Sequence, residues 1–271
     1  MKKTVYDTHT HTFLSSDGKM SAEEAIKTAQ EMGLGIAFTE HYDADPLGLT
    51  GADDPESPPN AYDFRVNVKK YMAEYERFRG DALLGIEIGL THLARDRNLE
   101  TLSGGKFDFV LGSVHIIGKV DIYEDLTYSK RPVVTKKGYL EYILRMVTEN
   151  DYFDALGHID YPSRYFVSGS DTAESEMDYD EFKNEYGAIF ETLIKKEKPP
   201  EINTRRLKLT HAKDNAYKVF KGYKDLGGKY VTLGSDAHTA DAVGRNFKAA
   251  LGICESLSLI PVYFSNREIK Y

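Results

Sequence analysis

Seven short apolar runs of strand length recur along this chain, at Thr4–Thr8, Gly35–Thr39, Ala82–Ile88, Phe107–Val114, Phe153–Gly157, Pro200–Asn203 and Tyr230–Gly234. Helical patterns separate most of them. Ser21 and Glu24 form a capping box ahead of Ala25, Ile26, Ala29 and Met32, and Gly33 stops the helix. Apolar Phe64, Val68, Tyr71, Met72 and Tyr75 predict a helix over Tyr62–Arg79, closed by Gly80. Further helices are expected over Gly138–Thr148, Tyr179–Lys196, Ala212–Leu226 and Val243–Leu257. Strand and helix in alternation imply a parallel sheet. With seven strands, closure into a barrel is more economical than an open sheet, and in such barrels the chemistry sits at the C-terminal strand ends.

What ends these runs is unusual. His9 with His11, and Asp236 with His238, are i, i+2 pairs, and alternation along an extended segment sends both members of a pair to one side. His41, Glu87, His115 and His158 each end, or nearly end, their own run. Candidate metal ligands from most of the chain therefore converge if the runs form one barrel. His92 and His211 fall outside the pattern and read as ordinary polar residues of a loop or helix start.

Bulk composition sets the boundaries. At 271 residues and 41% hydrophobic, the chain can bury a sizeable core, and it is expected to form one domain over residues 1–271. A net charge of −8 disfavours a non-specific nucleic-acid binder, which needs a basic face, but leaves room for a small anionic substrate. Cys254 is the single cysteine, so no internal disulfide forms, and it reads as a small buried hydrophobe. No signal peptide is evident, and no run approaches the roughly 20 apolar residues of a membrane span, so a soluble cytoplasmic protein without a membrane partner is expected. Asp43–Asn60, rich in proline, glycine and acids, and Lys119–Val134, polar and tyrosine-bearing, both follow ligand-bearing strands and are expected at the rim of the site.

The segments Asp7-Thr8-His9-Thr10-His11, Thr39-Glu40-His41, Gly85-Ile86-Glu87-Ile88-Gly89, Gly112-Ser113-Val114-His115, Gly157-His158-Ile159-Asp160 and Gly234-Ser235-Asp236-Ala237-His238 together resemble the polymerase and histidinol phosphatase (PHP) family of metallo-phosphoesterases. The resemblance spans nearly the whole chain, in order. It implies an α/β fold, a distorted (β/α)7 barrel with its metal site at the C-terminal strand ends. It also implies two or three divalent metal ions, with Zn, Fe, Mn or Co all compatible with His and carboxylate ligands. One ion would take His9, His11, Glu87 and Asp236, with Glu87 bridging to a second held by His115 and His158. A third would take Asp17, His41 and His238, although many members carry a histidine where Asp17 stands. Glu87, Asp236 and His238 are the residues the resemblance places closest to catalysis, around a bridging hydroxide that attacks phosphorus. Glu40 and Asp160 adjoin ligands but point to the opposite face, which suits supporting roles.

Arginines support a phosphate. Arg164 lies just beyond His158, and Arg205 and Arg206 follow Asn203 at another strand end. Guanidinium donors match phosphate oxygens in a bidentate way, so Arg164 and one of the adjacent pair, with Arg205 preferred, are expected to clamp it, and Asn203 to orient substrate or water. Within the family, the Thr39-Glu40-His41-Tyr42-Asp43 and Gly157-His158-Ile159-Asp160-Tyr161-Pro162 blocks look most like the stand-alone histidinol-phosphate phosphatases. That likeness implies hydrolysis of a small phosphorylated metabolite, L-histidinol phosphate. A phosphoesterase of nucleotides or phosphotyrosine would share the metal site, and a non-catalytic metal-binding module is the alternative from another class.

Overall fold

The computed structural model describes residues 5–44, 64–166 and 172–271. Seven parallel strands form a ring: β1 (Tyr6–Thr10), β2 (Gly35–Tyr42), β3 (Leu83–Gly89), β4 (Phe109–Ser113), β5 (Ala155–Leu156), β6 (Glu201–Asn203) and β7 (Tyr230–Gly234). The first five make a curled sheet in chain order, half of the barrel. The other half is a second sheet of β6 and β7, extended by β8 (Ile260–Pro261). Single bridges close the two seams, Leu156 with Pro200 and Thr10 with Ala237. The distortion lies at those seams and in β1, whose register slips between Asp7 and Thr10. Such a bulge re-aims the side chains beside it, here His9.

Eight α-helices wrap the barrel among the described residues: α1 (Ala22–Glu31), α2 (Val68–Tyr75), α3 (Arg95–Ser103), α4 (Ile122–Tyr128), α5 (Lys136–Glu149), α6 (Lys183–Lys195), α7 (Thr210–Asp225) and α8 (Phe247–Leu257). The capping box at Ser21 and Glu24 is present. The helix expected from Tyr62 starts instead at Val68. Asn67 caps it by accepting from the Lys70 amide, and Arg65 bridges antiparallel to Tyr42. A side chain that caps the backbone ends a helix even where the apolar spacing continues through it. Likewise α8 begins at Phe247 rather than Val243, because Gly244 and Asn246 adopt left-handed φ values of 66° and 56°. Helix α3 escaped the sequence reading because only Asn98 of its residues is buried, leaving no apolar stripe to detect. Helix α4 lies within Lys119–Val134, behind a short hairpin of Ile116–Ile117 and Val120–Asp121.

The pleat sorts the core. Leu84, Ile86, Ile88 and Val110 join a large cluster with helix residues such as Ile143, Met146, Ile189 and Phe190. Phe109, Leu111 and Ala155 form a separate cluster with Phe264. Phe264 belongs to a C-terminal hairpin, β9 (Tyr263–Ser265) and β10 (Glu268–Lys270), which closes the N-terminal end of the barrel. The floor is apolar; the opposite mouth is left for polar chemistry. Cys254 is buried in α8, as its sequence context implies.

Candidate metal centre

Glu87, near the end of β3, is the hub of the mouth. Its Oε2 lies 2.8 Å from His41 Nδ1, 3.3 Å from His9 Nε2 and 3.5 Å from His11 Nε2. Its Oε1 lies 2.9 Å from His158 Nε2 and 3.5 Å from His115 Nε2. Asp236, just past β7, places Oδ1 3.7 Å from His11 Nε2 and 3.9 Å from His9 Nε2. Asp17 approaches from the loop after β1, with Oδ2 2.9 Å from His238 Nε2 and Oδ1 3.6 Å from His41 Nε2. All the ligand-type residues singled out in the sequence are thus brought together.

Many of these close contacts leave their polar atoms without a hydrogen-bond partner. Among the described residues, His9 Nε2, His11 Nε2, His41 Nδ1 and both Glu87 oxygens are buried without a hydrogen-bond partner. Buried polar atoms are rarely left so, and a cluster of them aimed at shared space fits bound cations. Ligand atoms gather in overlapping groups: His9, His11 and Asp236; His9, Glu87 and His158; His11, His41 and His238; His41, Asp43 and His115. Imidazole and carboxylate donors of this kind suit Zn, Fe or Mn.

The outward ring nitrogens are fixed, which settles which nitrogen faces inward. His9 Nδ1 donates to Glu201 Oε1 at 2.8 Å, His115 Nδ1 to Asp43 Oδ2 at 2.9 Å, and His238 Nδ1 to the Asp236 carbonyl at 3.0 Å. His11 Nδ1 faces Ser15 Oγ at 3.4 Å, whose own proton goes to Glu40 at 2.6 Å. In each ring Nε2 is thereby turned toward the centre, the arrangement that metal-binding histidines use. Glu40 also accepts from the amide and hydroxyl of Thr12, so it supports the loop carrying Asp17.

Sequence reasoning missed Glu201 and Asp43 as supports. Their signal is a glycine on the neighbouring strand. A Cβ at Gly234 would collide with Glu201 Oε1, and one at Gly89 with Asp43 Oδ1. Each glycine makes room for a carboxylate.

Electrostatics match a site built for positive charge. Burial opposes ionisation of Glu87, but His9, His115 and His41 hold its pKa well below the usual range. Burial opposes a charge on His9 too, and Glu87, Glu201 and Asp236 overcome it, pushing its pKa well above the usual value. His11 goes the other way, held low by burial and then by His41 and His238. Protons on such a cluster are what divalent ions displace on binding.

Three arginines face Asp236. Arg164 Nη2 lies 2.6 Å and Arg205 Nη1 3.7 Å from its Oδ2, while Arg245 bonds to its carbonyl. Asn203 Oδ1 accepts from the Arg205 amide at 3.1 Å and lies 3.5 Å from Arg164 Nη2. Arg206 turns away into a buried pair with Glu176 at 2.6 Å, so Arg205 is the member of the adjacent pair at the mouth. Asp160 stands 3.9 Å from Arg206, outside the ring of ligands. His92 bonds to Tyr142, and His211 lies 3.5 Å from Glu176, both away from Glu87. Beside the site, Tyr161 packs against His115 and His158 and carries Arg164 over its ring, and Tyr165 and Tyr123 continue the wall outward. Tyr123 comes from Lys119–Val134, which therefore reaches the rim. Of Asp43–Asn60, residues 45–60 lie outside the described residues.

A mouth of imidazoles and carboxylates on a seven-stranded parallel barrel, flanked by arginines, defines a metal-dependent phosphoesterase centre. The PHP domain model matches residues 7–205, and the chain belongs to that family. It is 36% identical to a probable histidinol-phosphatase of Clostridium acetobutylicum, over 98% of this chain and 99% of that protein. It is 29% identical to a histidinol-phosphatase of Lactococcus lactis, over 89% of this chain and 86% of that protein. The crystal structure of a histidinol phosphate phosphatase from L. lactis, complexed with zinc, L-histidinol and phosphate, superposes with a TM-score of 0.82 at 26% identity, covering 98% of this chain and 99% of that one.

Proposed function

We propose that this protein is a metal-dependent phosphatase that hydrolyses L-histidinol phosphate to L-histidinol and inorganic phosphate. Glu87 carries the reading: a buried carboxylate with both oxygens unpaired among the described residues and five imidazoles within 3.5 Å. The named activity of the full-length relatives gives the substrate.

In this reading His9, His11, Glu87 and Asp236 would hold one ion, Glu87, His115 and His158 a second, and Asp17, His41 and His238 a third. When bound, such ions lower the pKa of water to about 7 and offset charge on phosphoryl oxygens. The protein's own groups do the rest. Arg164 and Arg205 move from Asp236 to the phosphate oxygens, where planar donors bind in a bidentate way. Asn203 holds both arginines in register through its Oδ1. Tyr161, 5.1 Å beneath the Arg164 guanidinium, keeps that group over the mouth.

Residues 1–271 act as one domain in this reading. The substrate is a small phosphorylated metabolite rather than nucleic acid, since the net charge of −8 offers no basic footprint. A lone buried cysteine suits the reducing cytoplasm. Among the described residues, no helix is long and apolar enough to cross a membrane.

The test is kcat/KM for phosphate release from L-histidinol phosphate, an aryl phosphate and a nucleotide monophosphate, using metal-replete protein. A preference of several hundredfold for histidinol phosphate, abolished by chelator, is expected. Comparable slow rates on all three would overturn the substrate while leaving a metallo-phosphoesterase.

A further inference from the structure

Asp236 holds its carboxylate at the centre from a left-handed backbone, with φ at 54°. Residues other than glycine adopt that conformation where neighbours over-determine it, often at functional sites. Here the neighbour is Arg245. Its Nη2 donates to the Asp236 carbonyl at 2.7 Å and its Nε to the Ser235 carbonyl at 2.9 Å, so one planar group grips two consecutive peptides. His238 Nδ1 donates to the same Asp236 carbonyl at 3.0 Å. A single peptide thus sets the direction of two side chains of the centre.

The turn that carries Arg245 is itself anchored from three strands. Gly244, left-handed at φ 66°, donates its amide to Asp7 Oδ2 of β1 at 2.8 Å, and Asp7 Oδ1 accepts the Ser235 amide at 2.9 Å. Thr204, next to β6, donates its hydroxyl to the Arg245 carbonyl at 2.6 Å. Thr204 in turn donates its amide to Gly234 O, at the end of β7, at 2.8 Å. The cationic head is kept here although burial and the charge of Arg205 both lower its pKa. A small neutral donor would avoid that repulsion, but it would not span two successive carbonyls in a fixed plane.

We propose that Arg245 is a positioning residue for the metal centre: by clamping the Ser235 and Asp236 carbonyls, it fixes the left-handed turn that aims Asp236 at His9 and His11, and His238 at Asp17. It touches neither substrate nor metal in this role. The inference rests on the ligand assignment proposed above.

Full-length zinc-loaded protein, competed with a chromophoric chelator, tests it by the rates at which the ions leave. In Arg245→Ala the ions held through Asp236 and His238 leave about ten- to a hundredfold faster than in wild type, the usual cost of losing a residue that orients a metal ligand. The ion shared by His115 and His158 leaves at the wild-type rate. Methylguanidinium added to Arg245→Ala slows the fast phases again, which a general loosening of the fold would not allow. Arg245→Lys, able to reach one carbonyl at a time, gives intermediate rates and carries the comparison if the alanine variant does not fold. Unchanged release, or equal acceleration of every ion without methylguanidinium rescue, overturns the proposal. Wild-type protein that takes up no zinc overturns the ligand assignment itself, an outcome visible before any variant is compared.

Discussion

Glu201 Oε1 lies 2.8 Å from His9 Nδ1, with both side chains fully buried. The same carboxylate accepts the His158 amide at 2.9 Å and Asn203 Nδ2 at 3.1 Å through its other oxygen. Burial alone would raise the pKa of Glu201, yet His9 and His158 hold it below the ordinary value, so it stays ionised. One charge therefore fixes the tautomer of His9 and the start of the loop that carries His158. Glu201→Gln keeps the shape and removes the charge. Metal affinity is expected to fall about ten- to a hundredfold, read by chelator competition, with the circular-dichroism spectrum unchanged. Gly234→Ala should do the same by a different route, since its Cβ would occupy the place of Glu201 Oε1. Wild-type affinity in both variants would show that His9 needs no anionic partner.

Much of this centre was legible because strand ends are legible. Apolar runs that stop at His9, His41, Glu87, His158 and Asp236 state both the strand and the direction of its last side chain. The supports were less visible. Glu201 and Asp43 look like any other acids in a chain with 43 of them, and the glycines that make room for them, Gly234 and Gly89, become a signal only once the strand neighbours are known. Arg245 lay hidden for a similar reason, inside a stretch expected to be helical, where Gly244 and Asn246 instead turn the chain through left-handed conformations. The C-terminal hairpin was missed because strands of two or three residues leave too short a pattern to count.

Arg164, part-buried, and Arg206, buried, invite a contrast, because each cation lies beside a carboxylate but they face opposite ways. Arg164 points into the mouth, 2.6 Å from Asp236, and Arg206 away from it, 2.6 Å from Glu176. Arg164→Ala is expected to raise KM and lower kcat/KM by about a hundredfold, the loss of one charge-assisted hydrogen-bonded clamp of about 3 kcal/mol. Zinc content should stay at the wild-type level. Arg206→Ala should destabilise the fold by about 3 kcal/mol, since Glu176 loses the arginine at 2.6 Å and keeps only His211 at 3.5 Å beside it. Its kcat/KM, normalised to folded protein, should change little. Steady-state kinetics, metal analysis and urea unfolding on both proteins separate the two roles, and loss of zinc from Arg164→Ala would place that arginine wrongly.

Cys254 offers a check on α8 that is independent of the metal. Burial pushes its thiol pKa up to about 12, so almost no thiolate exists at pH 8. Thiolate is the reactive form, and a free cysteine near pKa 8.5 would carry roughly a thousandfold more of it at that pH. Labelling by a disulfide reagent should therefore be slower by about that factor in the folded protein and become fast in urea. Rapid labelling under native conditions would mean that α8 opens readily from the barrel.

Phe264 tests whether the floor of the barrel and its mouth are energetically separate. Its ring stacks on Phe109 at 5.2 Å between centroids, and Leu111 and Ala155 complete the contact. The hairpin around it is tied to the barrel by the Arg267 amide, which donates to the Asp108 carbonyl at 2.9 Å, and by the Asn266 amide on Asp108 Oδ1 at 3.0 Å. Phe264→Ala removes an aromatic ring from a packed interior and should cost about 3–5 kcal/mol, seen as a lower urea midpoint with an unchanged slope. The strands between floor and mouth keep their hydrogen-bond ladders without that ring, so zinc release and kcat/KM per folded molecule should match wild type. A variant that folds well but loses zinc would show that the floor sets the spacing of β3 and β4, and through it the distance between Glu87 and His115.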